Sequence, residues 1–317
     1  MTIEEFAKNL TGYESYLIFC HCRPDGDTLG CGSALQAALR YLGKRADMIC
    51  ESDIPAKFAF LGFSDEVLKL GDVKRKYDAH IAVDCSVESM FGENYTLFRS
   101  CRNTFQIDHH VSNSRYAKFN FVKETAACCE SVYRLILALG AKIDKTIADR
   151  LLLGISTDTG NFEHSNVTAE TLAIASELVA QGADLHEIAY RMYKNQPLER
   201  AKLYAKVIGG MRLYLDGKVA MISVFRKDLE ESGATKDMTE GFIDFPLSVE
   251  GVEVAVSLLE NGNNTYKISY RSKGKVDVNA VASSFGGGGH KMASGSMLSG
   301  FYEDVKDKIL REISFYL

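Results

Sequence analysis

Four short apolar runs constrain the fold of this chain more than any other feature. They are S-Y-L-I-F-C-H (15–21), A-D-M-I-C-E-S (46–52), A-H-I-A-V-D-C (79–85) and T-F-Q-I-D-H-H (104–110). Near-continuous apolar character, rather than strict alternation, is the mark of strands buried on both faces. Stretches with helical periodicity follow at 28–43, closed by Gly43, and at about 125–139, 144–157 and 168–181. Strands alternating with helices predict an α/β domain, a mostly parallel sheet with helices on both faces. A-K-F-N-F-V (117–122) reads as an edge strand.

Three of these strands end in groups that bind cations or move protons. His21 closes the first, and the turn after it, C-R-P-D-G-D-T-L-G, carries Asp25 and Asp27 on either side of Gly26. Asp84 closes A-H-I-A-V-D, and Asp108, His109 and His110 close T-F-Q-I-D-H-H. In a parallel sheet these ends share one edge, the edge at which open α/β folds bind ligands. Asp158, in G-I-S-T-D-T-G-N-F, joins them from the end of an apolar helix. Strand alternation predicts that Asp108 and His110 face one way and His109 the other.

A single Asp or His at a strand end is ordinarily a cap or turn residue. Six such groups at three strand ends and a helix end need another explanation. His21, Asp25, Asp27, Asp84, His109 and Asp158 form a ligand set whose four carboxylates would repel one another unless cations neutralised them. Two divalent cations meet that need, and carboxylate with imidazole suits manganese. Such a pair clamps phosphoryl oxygens and activates water. His110 would then face the substrate phosphate, with Asp108 orienting an imidazole from behind. His80, His164 and His186 stand outside the set by position.

The pattern changes after residue 205. M-R-L-Y-L-D-G-K-V-A-M-I-S-V (211–224) predicts a hairpin with an Asp-Gly turn, and 252–272 a second around Asn261-Gly262. Helices are expected at 277–285 and 302–315. The expected organisation is a catalytic domain over 1–185, a helical connector over 186–205, and a smaller α+β domain over 206–317 set across a cleft. Within the last, the period of two places Lys267, Ser269, Arg271 and Lys273 on one strand face and Tyr266, Ile268 and Tyr270 on the other. Gly286, Gly287, Gly288 and Gly289 follow, then His290. Four glycines let backbone N–H groups approach a ligand closely, so Arg271, this run and His290 are expected to anchor a phosphate and its nucleobase.

Composition excludes several classes. A net charge of −5 argues against a surface that grips long duplex nucleic acid. The 46% hydrophobic and 25% charged fractions are those of a globular protein, and no run approaches a membrane span. The acidic, amphipathic start M-T-I-E-E-F-A-K-N-L is unlike a secretory signal, so a cytoplasmic location is expected. The eight cysteines lack C-x-x-C spacing and read as small buried residues.

H-C-R-P-D-G-D-T-L-G, V-D-C-S, D-H-H and T-D-T-G-N-F resemble the four motifs of the DHH phosphoesterase family, and G-G-G-G-H resembles the signature of the DHHA1 domain that often follows. The motifs run through nearly the whole chain in the family's order, and the short two-domain layout looks most like the oligoribonuclease/pAp phosphatase branch. The resemblance implies two manganese ions, with His21, Asp25 and Asp84 around one, and Asp27, Asp84, His109 and Asp158 around the other, so that Asp84 bridges. It also implies that Arg271 and Ser272 form the family's Arg-Ser pair. The implied reaction is hydrolysis of very short single-stranded RNA and dinucleotides to mononucleotides, and of pAp to AMP and phosphate. The alternatives are a pApA or cyclic-dinucleotide phosphodiesterase and an inactive nucleotide-binding regulator. The intact ligand set argues against the last. Neither long duplex nor membrane is an expected partner, and a homodimer is allowed. One position departs: relatives often carry Arg where this chain has Met90, and a neighbouring basic residue such as Arg115 could compensate.

Overall fold

The computed structural model describes residues 1–62, 67–262 and 264–317. The chain divides into two compact units, Met1–Asn195 and Gln196–Leu317.

In the first unit the strands are β1 (Ser15–Phe19), β2 (Arg45–Ile49), β3 (Val67–Leu68), β4 (Ala79–Val83), β5 (Thr104–Asp108) and β6 (Phe119–Val122). All pair in parallel, in the order β3-β2-β1-β4-β5-β6, with β6 on an edge as expected. The chain winds outward from β1 in one direction and from β4 in the other. Helices covering the two directions diverge at that point, leaving a crevice beyond the carboxyl ends of β1 and β4.

The helices are α1 (Ile3–Leu10), α2 (Gly26–Tyr41), α3 (Tyr95–Arg99), α4 (Cys128–Ala138), α5 (Lys145–Asp158), α6 (Ala169–Ala180) and α7 (Leu185–Ala189). Tyr16 and Ile18 of β1 face a core shared with α1, α2, α4 and α5, whereas Leu17 and Phe19 face Phe91 and Phe98 on the other side. Fully burying each large apolar side chain contributes about 1.5–3 kcal/mol, which commits the register of β1. Side chains start the helices: Asp25 caps α2, Asp144 caps α5, and Thr2 forms a capping box with Glu5 at α1.

The second unit opens with α8 (Leu198–Gly209), followed by β7 (Arg212–Tyr214) and β8 (Val219–Val224). Then come α9 (Arg226–Ser232), α10 (Asp244–Ser248), β9 (Val254–Gly262), β10 (Thr265–Ser272), α11 (Val278–Ser284), β11 (Gly288–His290), β12 (Ala293–Ser299) and α12 (Tyr302–Ser314). Its sheet runs β11-β12-β10-β9-β8-β7, antiparallel except for the parallel pair β8–β9. Both expected hairpins form. Asn263, inside the second, lies outside the described residues. Helices α11 and α12 cover one face through Val278, Val281, Val305 and Ile309. Leu203 and Val207 of α8 pack on the other against Ile222 and Val224.

Two strands here depart from the sequence reading. A-S-G-S-M-L-S carries too few β-branched or aromatic residues to signal a strand, yet it is β12, because β10 offers it an open edge. The second half of the glycine run is an edge strand: Gly288, Gly289 and His290 pair with β12.

Among the described residues no helix is long and apolar enough to cross a membrane. All eight cysteines are free, six of them fully buried.

Candidate active site

His21 follows β1, and Asp25 sits four residues on as the cap of α2. There Asp25 Oδ1 accepts from the N–H groups of Asp27 (3.1 Å) and Thr28 (3.0 Å). Its other oxygen lies 3.4 Å from His21 Nε2. Gly26 serves packing rather than a special turn. It lies in the first turn of α2, where a Cβ would come within 2.3 Å of Thr157 Oγ1 on α5.

Asp27 is fully buried and points at the start of α4, accepting from the N–H groups of Cys128 (2.6 Å) and Cys129 (2.9 Å). A helix N-terminus stabilises such a carboxylate by its orphan donors and dipole. Gly154 of α5 must lack a side chain here, since a Cβ would lie 2.7 Å from Asp27 Oδ1.

Asp84, just beyond β4, has a left-handed backbone (φ 55°), a strain of the kind that clusters at functional sites. Its carboxylate is buried between three imidazoles. His21 Nε2 is 3.7 Å from Oδ2, and His109 Nε2 and His110 Nδ1 are 3.4 and 3.6 Å from Oδ1. His109 Nε2 also lies 3.5 Å from Asp158 Oδ2 at the end of α5 and 3.9 Å from Asp27 Oδ2.

Strand alternation therefore fails for His109. β5 ends at Asp108, so neither histidine follows the pleat, and both turn toward Asp84. His109 Nδ1 contacts the Thr125 carbonyl oxygen at 3.0 Å. A carbonyl only accepts, so Nδ1 holds a proton, and Nε2 is the nitrogen that faces the carboxylates. His110 Nδ1 lies 2.9 Å from Asp108 Oδ1, and Asn113 Nδ2 donates to the other oxygen of Asp108. Asp108 is fully buried and thereby fixes the His110 ring.

The charges in this cluster are strongly perturbed. Burial, and then the charge of Asp27, push Asp84 up to about 7. Burial with Asp27 and Asp84 pushes Asp158 up to about 10. Burial alone would lower His109, but the Asp84 and Asp27 carboxylates raise it to about 11. His21 is likewise raised against its burial, chiefly by Asp25, while His21 holds Asp25 down although burial would raise it. The hydrogen bond that His110 donates to Asp108 raises His110. Metal-free, the cluster holds protons that isolated carboxylates would release at neutral pH.

The donors fit cations. Asp84 Oδ1 is a buried acceptor without a hydrogen bond, a costly vacancy for a carboxylate. One donor atom each from His21, Asp25 and Asp84 lies within 4.8 Å of the others, and the same holds for Asp27, His109 and Asp158, and for Asp84, His109 and His110.

A cavity of about 440 Å³ opens on this cluster. Met90 lines it, as does Arg23, which the sequence reading passed over inside H-C-R-P-D-G-D. Its signal was its place between two ligand candidates. Arg115 is exposed in a left-handed turn (φ 53°) and does not line the cavity.

In the second unit Arg271 is half-buried on β10, its Nη1 donating to its neighbour Tyr270's carbonyl at 3.1 Å. Ser272 points inward, where its hydroxyl accepts from Gly274 N–H at 3.0 Å. Gly286 and Gly287 donate their N–H groups to Ser283 and Ala282 carbonyls. Gly287 and Gly289 are needed for close approach to β12, since a Cβ would meet the Gly295 oxygen at 2.2 Å or the Ala293 oxygen at 2.5 Å. His290 is exposed.

Residues 15–155 match the DHH family N-terminal domain and residues 216–317 the DHHA1 domain. The chain is 32% identical to the bifunctional oligoribonuclease and PAP phosphatase NrnA of Thermus thermophilus, over 94% of this chain and 90% of that protein. It is 25% identical to the Bacillus subtilis protein of the same name, over 98% and 96%. Among solved structures, an exopolyphosphatase-related protein from Bacteroides fragilis superposes with a TM-score of 0.92 at 27% identity, over 99% of this chain and 96% of that one. With both domains matched in order and a relative this similar over nearly its whole length, the chain belongs to the DHH family of phosphoesterases, in the form that carries a C-terminal DHHA1 domain.

Proposed function

We propose that this chain is a two-metal phosphodiesterase and phosphatase that cleaves very short oligonucleotides to mononucleotides and removes phosphate from pAp. The observation that carries the metal reading is Asp84, a buried, strained carboxylate shared by three imidazoles, with one oxygen left without a hydrogen bond. The substrate reading draws its support from the NrnA relatives.

His21, Asp25 and Asp84 would hold one divalent cation, and Asp27, Asp84, His109 and Asp158 the second. Bound there, two cations of the manganese type would neutralise the carboxylates, draw electron density from the phosphate and make water a competent nucleophile at neutral pH. His109 keeps its Nδ1 proton on the Thr125 carbonyl and offers Nε2 as ligand. His110, raised and locked by Asp108, which Asn113 holds in turn, keeps a proton on Nδ1 and turns Nε2 toward the substrate. It hydrogen-bonds the phosphate and hands a proton to the departing oxygen. Arg271, the glycine run and His290 in the second unit would hold the nucleotide.

The test is a substrate panel with the manganese-loaded protein: pAp, pApA, pGpG, cyclic di-AMP and RNAs graded in length from the dinucleotide upward. Dinucleotides and pAp should be consumed first and long RNA spared. A metal-loaded protein that cleaves none of them refutes the reading. Faster cleavage of a cyclic dinucleotide than of any linear substrate would favour the phosphodiesterase alternative.

A further inference from the structure

Two cations would neutralise Asp25, Asp84 and Asp158 on the wall of this cavity, and the phosphate's own charge then calls for a further positive group. Arg23 is the one lining residue with a permanent positive charge. Among the described residues it has no hydrogen-bond or ion-pair partner, although Asp25 is two residues away. A guanidinium that stands beside carboxylates and pairs with none of them is available to an incoming anion.

Its backbone, by contrast, is held on both sides. The Cys22 N–H donates to the Met90 carbonyl at 2.7 Å, and the Cys22 carbonyl accepts from Ser52 Oγ. Buried Pro24 follows, with its φ locked by the ring. The loop thus presents Arg23 from a fixed base, and Met90, to which it is tied, brings no charge of its own to the wall.

We propose that Arg23 is a substrate-binding residue that grips non-bridging oxygens of the phosphate undergoing hydrolysis, and that it biases the site toward phosphomonoesters. This rests on the phosphoesterase reading above. The planar guanidinium donates two parallel hydrogen bonds to a phosphate. A monoester offers it two negative charges and three terminal oxygens, a diester one charge and two oxygens. Losing Arg23 therefore costs most on the monoester. The effect also reaches substrates with no remote nucleotide to anchor, because Arg23 holds the reacting group itself.

The experiment compares wild type with Arg23→Ala and Arg23→Lys, using pAp, a dinucleotide and bis-p-nitrophenyl phosphate. Binding of inorganic phosphate to the manganese-loaded protein is measured in parallel by calorimetry. Arg23→Ala should lower kcat/KM on pAp roughly 10- to 30-fold, the low end of a charge-assisted contact because the side chain is exposed. Both diesters should lose less, phosphate should bind correspondingly more weakly, and metal content and melting temperature should not change. Free guanidinium should restore Arg23→Ala in a saturable way and leave wild type alone, which a merely structural residue would not show. Arg23→Lys should recover part of the loss. Phosphate affinity and pAp kcat/KM within about twofold of wild type overturn the proposal, as does an equal loss on every substrate without rescue by guanidinium. A wild-type protein that cleaves none of the substrates overturns the phosphoesterase reading instead, while phosphate binding still tests Arg23.

Discussion

Replacing Asp84 by Asn separates what this carboxylate does for chemistry from what it costs the fold. Asn is nearly isosteric and tolerates the left-handed backbone found there (φ 55°), so the substitution changes charge with little change of shape. In the metal-free protein the wild-type carboxyl is raised from 3.8 to about 7 by burial and by Asp27. A group raised in the folded state stabilises fully below its unfolded value, and that contribution disappears as pH climbs through the folded value. By pH 8 ionised Asp84 therefore disfavours folding by up to about 4 kcal/mol relative to pH 4. Asp84→Asn removes the term, offset in part because His109 and His21 lose a carboxylate that raises them. The metal-free variant should melt several degrees above metal-free wild type at pH 8, with the difference shrinking toward pH 4. Activity should move oppositely. Loss of a single supporting contact at a metal site costs about 10–100-fold, so a carboxylate shared by both ions should cost at least several hundred-fold on every substrate. The assays are thermal melts after chelation across this pH range, metal content by elemental analysis, and turnover with manganese. Two bound metals with near wild-type turnover would show that Asp84 is not shared. Melting curves that coincide at all pH values would refute the account of its burial.

Exhaustive dialysis against EDTA should abolish turnover, and Mn²⁺ should restore it better than Ca²⁺, which prefers more numerous and longer oxygen contacts; full activity in protein shown metal-free by elemental analysis refutes this. Loading near neutral pH should release protons and tighten as pH rises, because Asp84, Asp158 and His109 all hold protons above their ordinary ranges. Binding heats that do not depend on the buffer's ionisation enthalpy would contradict that. Arg271→Ala should cost roughly 10- to 150-fold in kcat/KM on a dinucleotide while sparing bis-p-nitrophenyl phosphate, which has no remote group to hold. An equal loss on both substrates would place Arg271 in the chemical step.

Much of the first unit was legible in the chain itself. Apolar runs ending in His21, Asp84 and Asp108 report strands whose carboxyl ends carry function, because burial on both faces of a sheet leaves a local, readable trace. The same motifs carry the six ligand candidates. Packing decided the rest. The order β3-β2-β1-β4-β5-β6 makes β1, β4 and β5 neighbours, so that His21, Asp84 and His109 meet. Asp27 is held by amides about a hundred residues away, at the start of α4, and no local pattern encodes that pairing. The pleat rule sent His109 the wrong way because the strand stops one residue earlier, at the point where the Thr125 carbonyl captures its ring. The glycine run carries no strand pattern, yet β12 makes its second half an edge strand. Arg23 is one basic residue among many until its neighbours on the cavity wall are known. Periodicity and spacing record which face of an element is buried. Which distant elements supply the partners depends on how the sheets and helices pack, and that long-range choice leaves no mark on a short stretch of sequence.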